Sequence, residues 1–225
     1  GFGVAALLVL IGWQWQKNSS TKIENVTVTG PKPAEKVAYV TFDDGPSEIT
    51  PGILDTLKKY DAKATFFLIG EEITEEREEI VKREIEEGHS VGVHTYCHKK
   101  EEMYCNKEYF WNYFEKCKTR IEEVIGKPVS LHRFPWGSNN GYVCPLVDDL
   151  MEELQKKKIT SFDWNVSGED SVAVGVPMAS IYQNVKKDLD KYDNPIILLH
   201  DSNTMKNTAA VLPEILEMIK EKGYR

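Results

Sequence analysis

The apolar positions of this chain alternate between two patterns. Short unbroken runs rich in β-branched and aromatic residues fall at 37–42, 64–69, 90–94, 129–133, 159–164 and 195–200, and each is expected to be a strand. The run at 64–69, ATFFLI, fits a strand covered on both faces. Between the runs, apolar residues recur at helical spacing over 51–60, 72–87, 107–125, 145–158, 177–192 and 209–222. In the second of these, Ile73, Ile80, Val81 and Ile85 form one side. The dense Glu, Arg and Lys surface opposite is a solvated face. Thr50 and Pro51 are expected to open the first helix as N-cap and N1, and Gly88 and Gly126 to close the second and third.

Strict alternation of strand and helix implies a parallel sheet with helices outside it. Six such units within residues 36–225 fit an α/β fold, a distorted or incomplete (β/α) barrel, TIM-like, forming a single catalytic domain. A doubly wound open sheet is the competing architecture. In both, function belongs where strands end and the following loops begin.

Residues 1–13, GFGVAALLVLIGW, are a different kind of sequence, with no charge before Lys17. The run is shorter than the roughly 20 apolar residues of a spanning helix. Residues 1–16 are expected to be a membrane anchor or signal-peptide remnant, with Trp13 and Trp15 at the interface. Residues 17–35, rich in Ser, Thr, Asn and Pro, read as a linker to the domain at 36–225. This layout predicts an extracytoplasmic domain, secreted or held at the outer face of the cell membrane. Tyr224-Arg225 reads as the first step of a strand, so the domain is expected to be truncated at its C-terminus.

Composition narrows the partners. With 28 Lys+Arg against 36 Asp+Glu the net charge is −8 over 225 residues, which argues against nucleic acid or an anionic membrane as the main partner. At 41% apolar residues the chain can build a real core. Four Cys, none in a CxxC motif, are too few for a disulfide scaffold. Cys105, Cys117 and Cys144 could supply one disulfide, with the pairing open. No Gly-rich phosphate loop of the Walker or dinucleotide type is present.

The polar residues gather at the expected strand ends. Asp43-Asp44-Gly45-Pro46 follows the first strand, and His94 and His98 follow the third. Arg133-Phe134-Pro135-Trp136 follows the fourth, Asp163-Trp164-Asn165 the fifth, and His200-Asp201 the sixth. Two adjacent carboxylates repel unless a cation takes one of them. His94 and His98 can present two imidazoles to the same ion, and a set of two histidines and one aspartate leaves positions open for water and substrate. The other Asp can then serve as general base, held ionised by Arg133, and His200 can protonate a leaving group. The reaction class is metal-assisted hydrolysis of an amide or ester.

Other residues read more simply. His89, just past a helix end, is expected to be a dipole-stabilised structural residue, and His132 has no assigned role. Cys97, between the two candidate ligands, reads as a packed thiol rather than a third ligand. Tyr104, Tyr109 and Trp111 read as core rather than as a sugar groove.

The series Thr41-Phe42-Asp43-Asp44-Gly45-Pro46, His94-Thr95-x-x-His98, Arg133-Phe134-Pro135-Trp136-Gly137 and Leu198-Leu199-His200 resembles the motif series of polysaccharide deacetylases, the NodB-homology family and fourth family of carbohydrate esterases. The resemblance covers about residues 36–225, in the family's order. It implies a distorted (β/α) barrel. It implies Asp43 as catalytic base, Asp44, His94 and His98 as metal ligands, and Arg133 as the residue orienting the base. It further implies Trp136 as a backbone donor to the oxyanion, Leu198 as a wall of the acetyl pocket and His200 as general acid. Phe134, Pro135, Trp136, Trp164 and Leu198 are the expected substrate-binding set.

The implied cofactor is Zn2+ or another divalent ion such as Co2+, Ni2+ or Mn2+. The implied substrate is an N-acetylated polysaccharide, peptidoglycan or chitin-like. The pattern most resembles bacterial peptidoglycan N-acetylglucosamine deacetylases. Chitooligosaccharide deacetylase and O-acetyl xylan esterase are the alternatives within the class. A small cyclic-amide amidohydrolase and a glycan-binding pseudoenzyme lie outside it. One departure stands out. Ser167 and Ser171 occupy positions where the family carries Asp and Trp, leaving Asp163 or Asp170 to tune His200.

Overall fold

The computed structural model describes residues 35–225. The expected anchor at 1–16 and the expected linker as far as residue 34 lie outside the described residues. Among the described residues no helix is long and apolar enough to cross a membrane.

The strands are β1 (Tyr39–Gly45), β2 (Ala64–Ile69), β3 (Ser90–Thr95), β4 (Leu131–His132), β5 (Thr160–Ser161), β6 (Val166–Ser167) and β7 (Ile196–His200). Every pairing is parallel. The helices are α1 (Thr50–Lys59), α2 (Glu78–Glu86), α3 (Lys100–Met103), α4 (Lys107–Ile125), α5 (Val147–Lys156), α6 (Met178–Leu189) and α7 (Lys206–Glu221).

The sheet order is β5-β4-β3-β2-β1-β7-β6, which is a circle cut between β5 and β6. Those two edges are joined by the four residues 162–165 alone. Five Cα steps reach at most about 18 Å. A flat sheet of seven strands would hold its edges about 29 Å apart. The sheet must therefore curl, and the open-sheet alternative falls. The result is a half-barrel with helices outside, a distorted (β/α) barrel open on one side.

Pleating divides each strand between two environments. Val40, Phe42, Phe66, Leu68, Val91, Val93, Ile197 and Leu199 face outward into the main core beneath the helices, where Phe42 stacks on Phe66 at 5.3 Å. Thr41 and Phe67 alternate with them and lie outside that cluster. The Arg133 guanidinium sits over the Phe67 ring at 4.3 Å and bonds Thr41, so this second face lines the barrel.

Several elements depart from expectation. The strand expected over 159–164 is only Thr160–Ser161, and β6 is an extra strand after it. The helix expected over 72–87 starts at Glu78, after two 3-10 turns. Thr74 is extended there at ψ 167°, and Arg120 of α4 takes the free Ile73 carbonyl with two N–H groups at 3.0 and 2.8 Å. Thr50 does not cap α1. Its hydroxyl instead donates to Asp201 Oδ2 at 2.6 Å and accepts from the Ser47 N–H at 2.7 Å. Gly126 closes α4 as expected, at φ 68°. All four Cys are free, Cys97 and Cys117 buried and Cys105 and Cys144 exposed. Arg225 exchanges backbone hydrogen bonds with Lys36 and Ala38, both at 2.8 Å.

Candidate active site and metal centre

The register of β1 explains how two consecutive residues serve one rim. Asp43 faces Phe67 and Gly45 faces Leu68, so Asp44 is an extra residue bulged out of the ladder. Its φ is 76°, a left-handed conformation uncommon outside glycine and frequent at functional sites. In a regular strand the two carboxylates would point to opposite faces. A second irregularity sits at His94, skipped between Val93 opposite Leu68 and Thr95 opposite Ile69.

These two bulges bring Asp44 Oδ1 within 3.5 Å of His94 Nε2 and 3.7 Å of His98 Nε2. One ligand atom from each of the three residues lies within 4.8 Å of the others. Two donors each about 2.1 Å from a tetrahedral ion lie about 3.4 Å apart, so the spacing fits. Asp44 Oδ1 is buried with no hydrogen-bond partner among the described residues, which suits an oxygen reserved for a cation. His94 Nδ1 is engaged with the Arg133 carbonyl at 3.0 Å, leaving Nε2 for the ion. Burial, reinforced by the charges of His98 and Arg133, holds the His94 pKa well below its ordinary value. Burial also lowers His98, against the pull of Asp44. Both rings are thus neutral donors. Cys97 is not aimed at the centre; its Sγ lies 3.8 Å from Glu102 Oε2.

Asp43 lies beside this trio, its Oδ2 4.0 Å from His94 Nε2. The fully buried Arg133 donates from Nη1 to Asp43 Oδ1 at 2.9 Å and to Thr41 Oγ1 at 2.7 Å. Its Nε donates to the Phe162 carbonyl at 3.0 Å. Burial pushes the Asp43 carboxyl up to about 6, although Arg133 and His200 lower it.

The pairing of β1 with β7 sets His200 opposite Asp43. Asp170 binds His200 twice, accepting from its backbone N–H and meeting its Nδ1, both at 2.8 Å. Thr208 Oγ1 donates to the same carboxylate at 2.8 Å. Burial opposes charge on His200, but the hydrogen bond and charge of Asp170, with Asp44 and Asp43, outweigh it and raise the pKa to about 9. Nε2 is the nitrogen left for chemistry, with Ser171 Oγ 3.4 Å away. Asp170 therefore tunes His200. Asp163 does not: its two oxygens take the N–H and hydroxyl of Ser138.

The expected substrate-binding residues separate. Trp136 is 40% exposed, with its ring 4.1 Å from that of His98. Trp164 packs against Gly137, where an added Cβ would meet it at 3.1 Å. Leu198 is buried on β7 opposite Thr41, and Pro135 is buried beside Trp136. Phe134 is fully buried against Phe110 and His132 and cannot stack on a sugar. His89 is also corrected. Its Nδ1 accepts from the Ala64 N–H, and burial lowers its pKa to about 4, so it carries no charge for a helix dipole.

Two groups carried no assigned role in the sequence. Asp201 is buried under hydrogen bonds from the Ser47 and Thr50 hydroxyls, both 2.6 Å, and ties the turn after β1 to β7. Tyr104, expected in the core, is buried but spends its hydroxyl on the Pro135 carbonyl at 3.1 Å.

The comparisons with known proteins identify the family. The sequence profile of the polysaccharide deacetylase family matches residues 30–153. A peptidoglycan-N-acetylglucosamine deacetylase of Bacillus cereus is 40% identical over 193 residues, covering 84% of this chain and 67% of that protein. The catalytic domain of a Eubacterium rectale peptidoglycan N-acetylglucosamine deacetylase superposes with a TM-score of 0.78 at 29% identity, covering 86% of this chain and 88% of that one. A Bacillus cereus polysaccharide deacetylase gives 0.73 at 37% identity, covering 84% and 90%. The chain belongs to the polysaccharide deacetylase family, hydrolases that act on the amide bonds of glycans.

Proposed function

We propose that this chain removes N-acetyl groups from the N-acetylglucosamine residues of peptidoglycan, with a divalent cation, Zn2+ first among candidates, held by Asp44, His94 and His98. One observation carries the reading. An unpartnered buried carboxylate oxygen faces two neutral imidazoles, between an arginine-held carboxylate and a carboxylate-held histidine. The relatives named above supply the polymer. A peptidoglycan substrate would require the domain to act outside the cytoplasmic membrane.

When bound, the cation supplies Lewis-acid polarisation of the acetyl carbonyl and acidifies water. Asp43 takes the proton from the attacking water at its carboxylate, and Arg133 fixes the direction of that carboxylate. His200 delivers a proton from Nε2 to the leaving nitrogen, since Nδ1 is occupied by Asp170. A sugar amine is a poor leaving group, so this proton is essential.

The direct test is acetate release from N-acetylglucosamine oligomers and from purified peptidoglycan, using metal-stripped protein with and without Zn2+. Zn2+-dependent release with preference for peptidoglycan is expected. No release despite stoichiometric metal binding would sink the reading, and preference for the oligomers would move the substrate to chitin.

The His200–Asp170 pair sets a pH dependence. In the metal-free chain Asp43 titrates near 6 and His200 near 9; a bound cation draws both down, so kcat/KM should show a plateau whose alkaline limb, at or below about 9, marks His200 deprotonation. Asp170→Asn removes the largest of the contributions that raise His200, leaving only Asp44 and Asp43 to oppose burial. The alkaline limb should move down, by up to roughly the span from 9 to the ordinary 6.5. An unmoved limb in the kcat/KM profile would remove Asp170 from this role.

A further inference from the structure

The Pro135–Trp136 peptide is held in an orientation its own sequence disfavours. The Gly137 N–H donates to the Phe134 carbonyl at 2.8 Å, closing a four-residue turn. Proline stands at its second position and Trp136, with φ 62°, at its third. That is a type II turn, whose third position is normally glycine. Flipping the central peptide would give a type I turn with negative φ at Trp136, which a bulky residue prefers. Something outside the turn must block the flip.

The blocking groups sit on the Pro135 carbonyl. Tyr104 Oη–H donates to it at 3.1 Å and the Asn140 side-chain amide at 3.0 Å. Asn140 is itself fixed by the N–H groups of Tyr142 and Val143 at 2.8 and 3.0 Å. Burial raises the Tyr104 phenol above its ordinary value, so it remains a donor throughout the working range. Asp163 and Trp164 hold the next two residues, Ser138 and Gly137, from the other side.

A trans peptide is planar, and its N–H points opposite its C=O. Fixing the Pro135 oxygen therefore fixes the Trp136 N–H. That N–H makes no hydrogen bond among the described residues. The turn lies over the candidate metal centre, with the Trp136 ring on His98.

We propose that Tyr104 is a positioning residue for the substrate carbonyl: through the Pro135 oxygen it locks the Pro135–Trp136 peptide in the flipped state that presents a free N–H to the reacting acetyl group. The inference rests on the deacetylase reading. Hydrogen bonding by the phenol also polarises that peptide, strengthening its N–H as a donor.

Tyr104→Phe deletes one donor and leaves Asn140 on the carbonyl, so the chain should still fold. With the full metal-loaded chain and N-acetylglucosamine oligomers, kcat should fall about tenfold, less than the hundredfold or more that follows complete loss of an oxyanion donor. KM, Zn2+ affinity and binding of the fully deacetylated glucosamine oligomer, which lacks the carbonyl, should not change. The Trp136 amide resonance in a 1H–15N spectrum should shift or broaden as the turn begins to flip. Trp136→Gly removes the strain that drives the flip, so the Tyr104→Phe loss should shrink in that background.

Unchanged kcat with an unmoved Trp136 resonance would overturn the proposal. So would an equal loss in both backgrounds, or a loss that tracks Zn2+ affinity. If the wild-type chain releases no acetate, the deacetylase reading fails by itself. The Trp136 resonance still decides whether Tyr104 orients the peptide.

Discussion

His94→Ala should lose divalent metal and deacetylation together. His94 is buried, with one ring nitrogen on the Arg133 carbonyl and the other 3.5 Å from Asp44 Oδ1. Removing an outer-shell partner of a metal ligand typically weakens binding by about 10–100-fold. Removing the ligand itself should exceed ~100-fold, because Asp44 and His98 alone cannot complete the trio. Isothermal titration with Zn2+ measures this directly. The substitution also leaves the Arg133 carbonyl without its imidazole, a loss of about 1–3 kcal/mol in stability, so thermal unfolding must be followed alongside. Cys97→Ser is the matched control. It lies between the same two histidines in sequence, yet its sulfur is turned to Glu102, so metal affinity should be kept. Wild-type Zn2+ affinity in His94→Ala would dismantle the proposed centre.

How much of this was legible in the sequence depended on the range of the interactions involved. Continuous apolar runs such as ATFFLI announced the central strands, because a strand buried on both faces has little choice of residue. The edge region was harder. β5 and β6 have two residues each, and the segment between them spends its carbonyls on Arg133 rather than on a sheet partner. The break at Ile73–Thr74 was invisible for a similar reason, since the group that stabilises it, Arg120, lies 47 residues away.

At the site, Asp43, Asp44, His94, His98, Arg133 and His200 could be picked out because their side-chain chemistry is unusual at strand ends. Asp163 and Asp170 could not be separated by spacing alone. The extra strand β6 lies between them, so Asp163 follows β5 and turns to Ser138 while Asp170 follows β6 and reaches His200. Phe134 differs from expectation because its ring turns into the core against Phe110 and His132, while Trp136, two residues on and left-handed, stays exposed. The role of Tyr104 had no sequence signature, since it acts through a backbone oxygen 31 residues away.

Asp43→Asn should separate chemistry from metal and from folding more cleanly than any other change. The amide is nearly isosteric and can still accept from Arg133 Nη1, so the local geometry should survive. It cannot take a proton from water. General-base catalysis is typically worth about 10²–10⁴-fold, and kcat should fall by that amount while Zn2+ affinity is retained. Stability should move the other way. The Asp43 carboxyl titrates near 6 in the folded chain against an ordinary 3.8, so the folded state binds the proton more tightly than the unfolded state. Stability contributed by the neutral form is present below 3.8 and is lost as pH rises through 6. Above that range the metal-free wild type carries a buried charge whose burden is up to about 3 kcal/mol, at 1.36 kcal/mol per unit. The asparagine variant carries no charge at position 43, and its buried Arg133 lacks a counter-charge just as it does in wild type at low pH. At pH 8, metal-free Asp43→Asn should therefore unfold at a temperature no lower than wild type, while the two converge near pH 4. The buried, Arg133-held carboxylate is then a strain retained for catalysis. A variant that keeps its turnover would show that the base lies elsewhere, and one that unfolds well below wild type at pH 8 would show that the Asp43–Arg133 pair chiefly serves the fold.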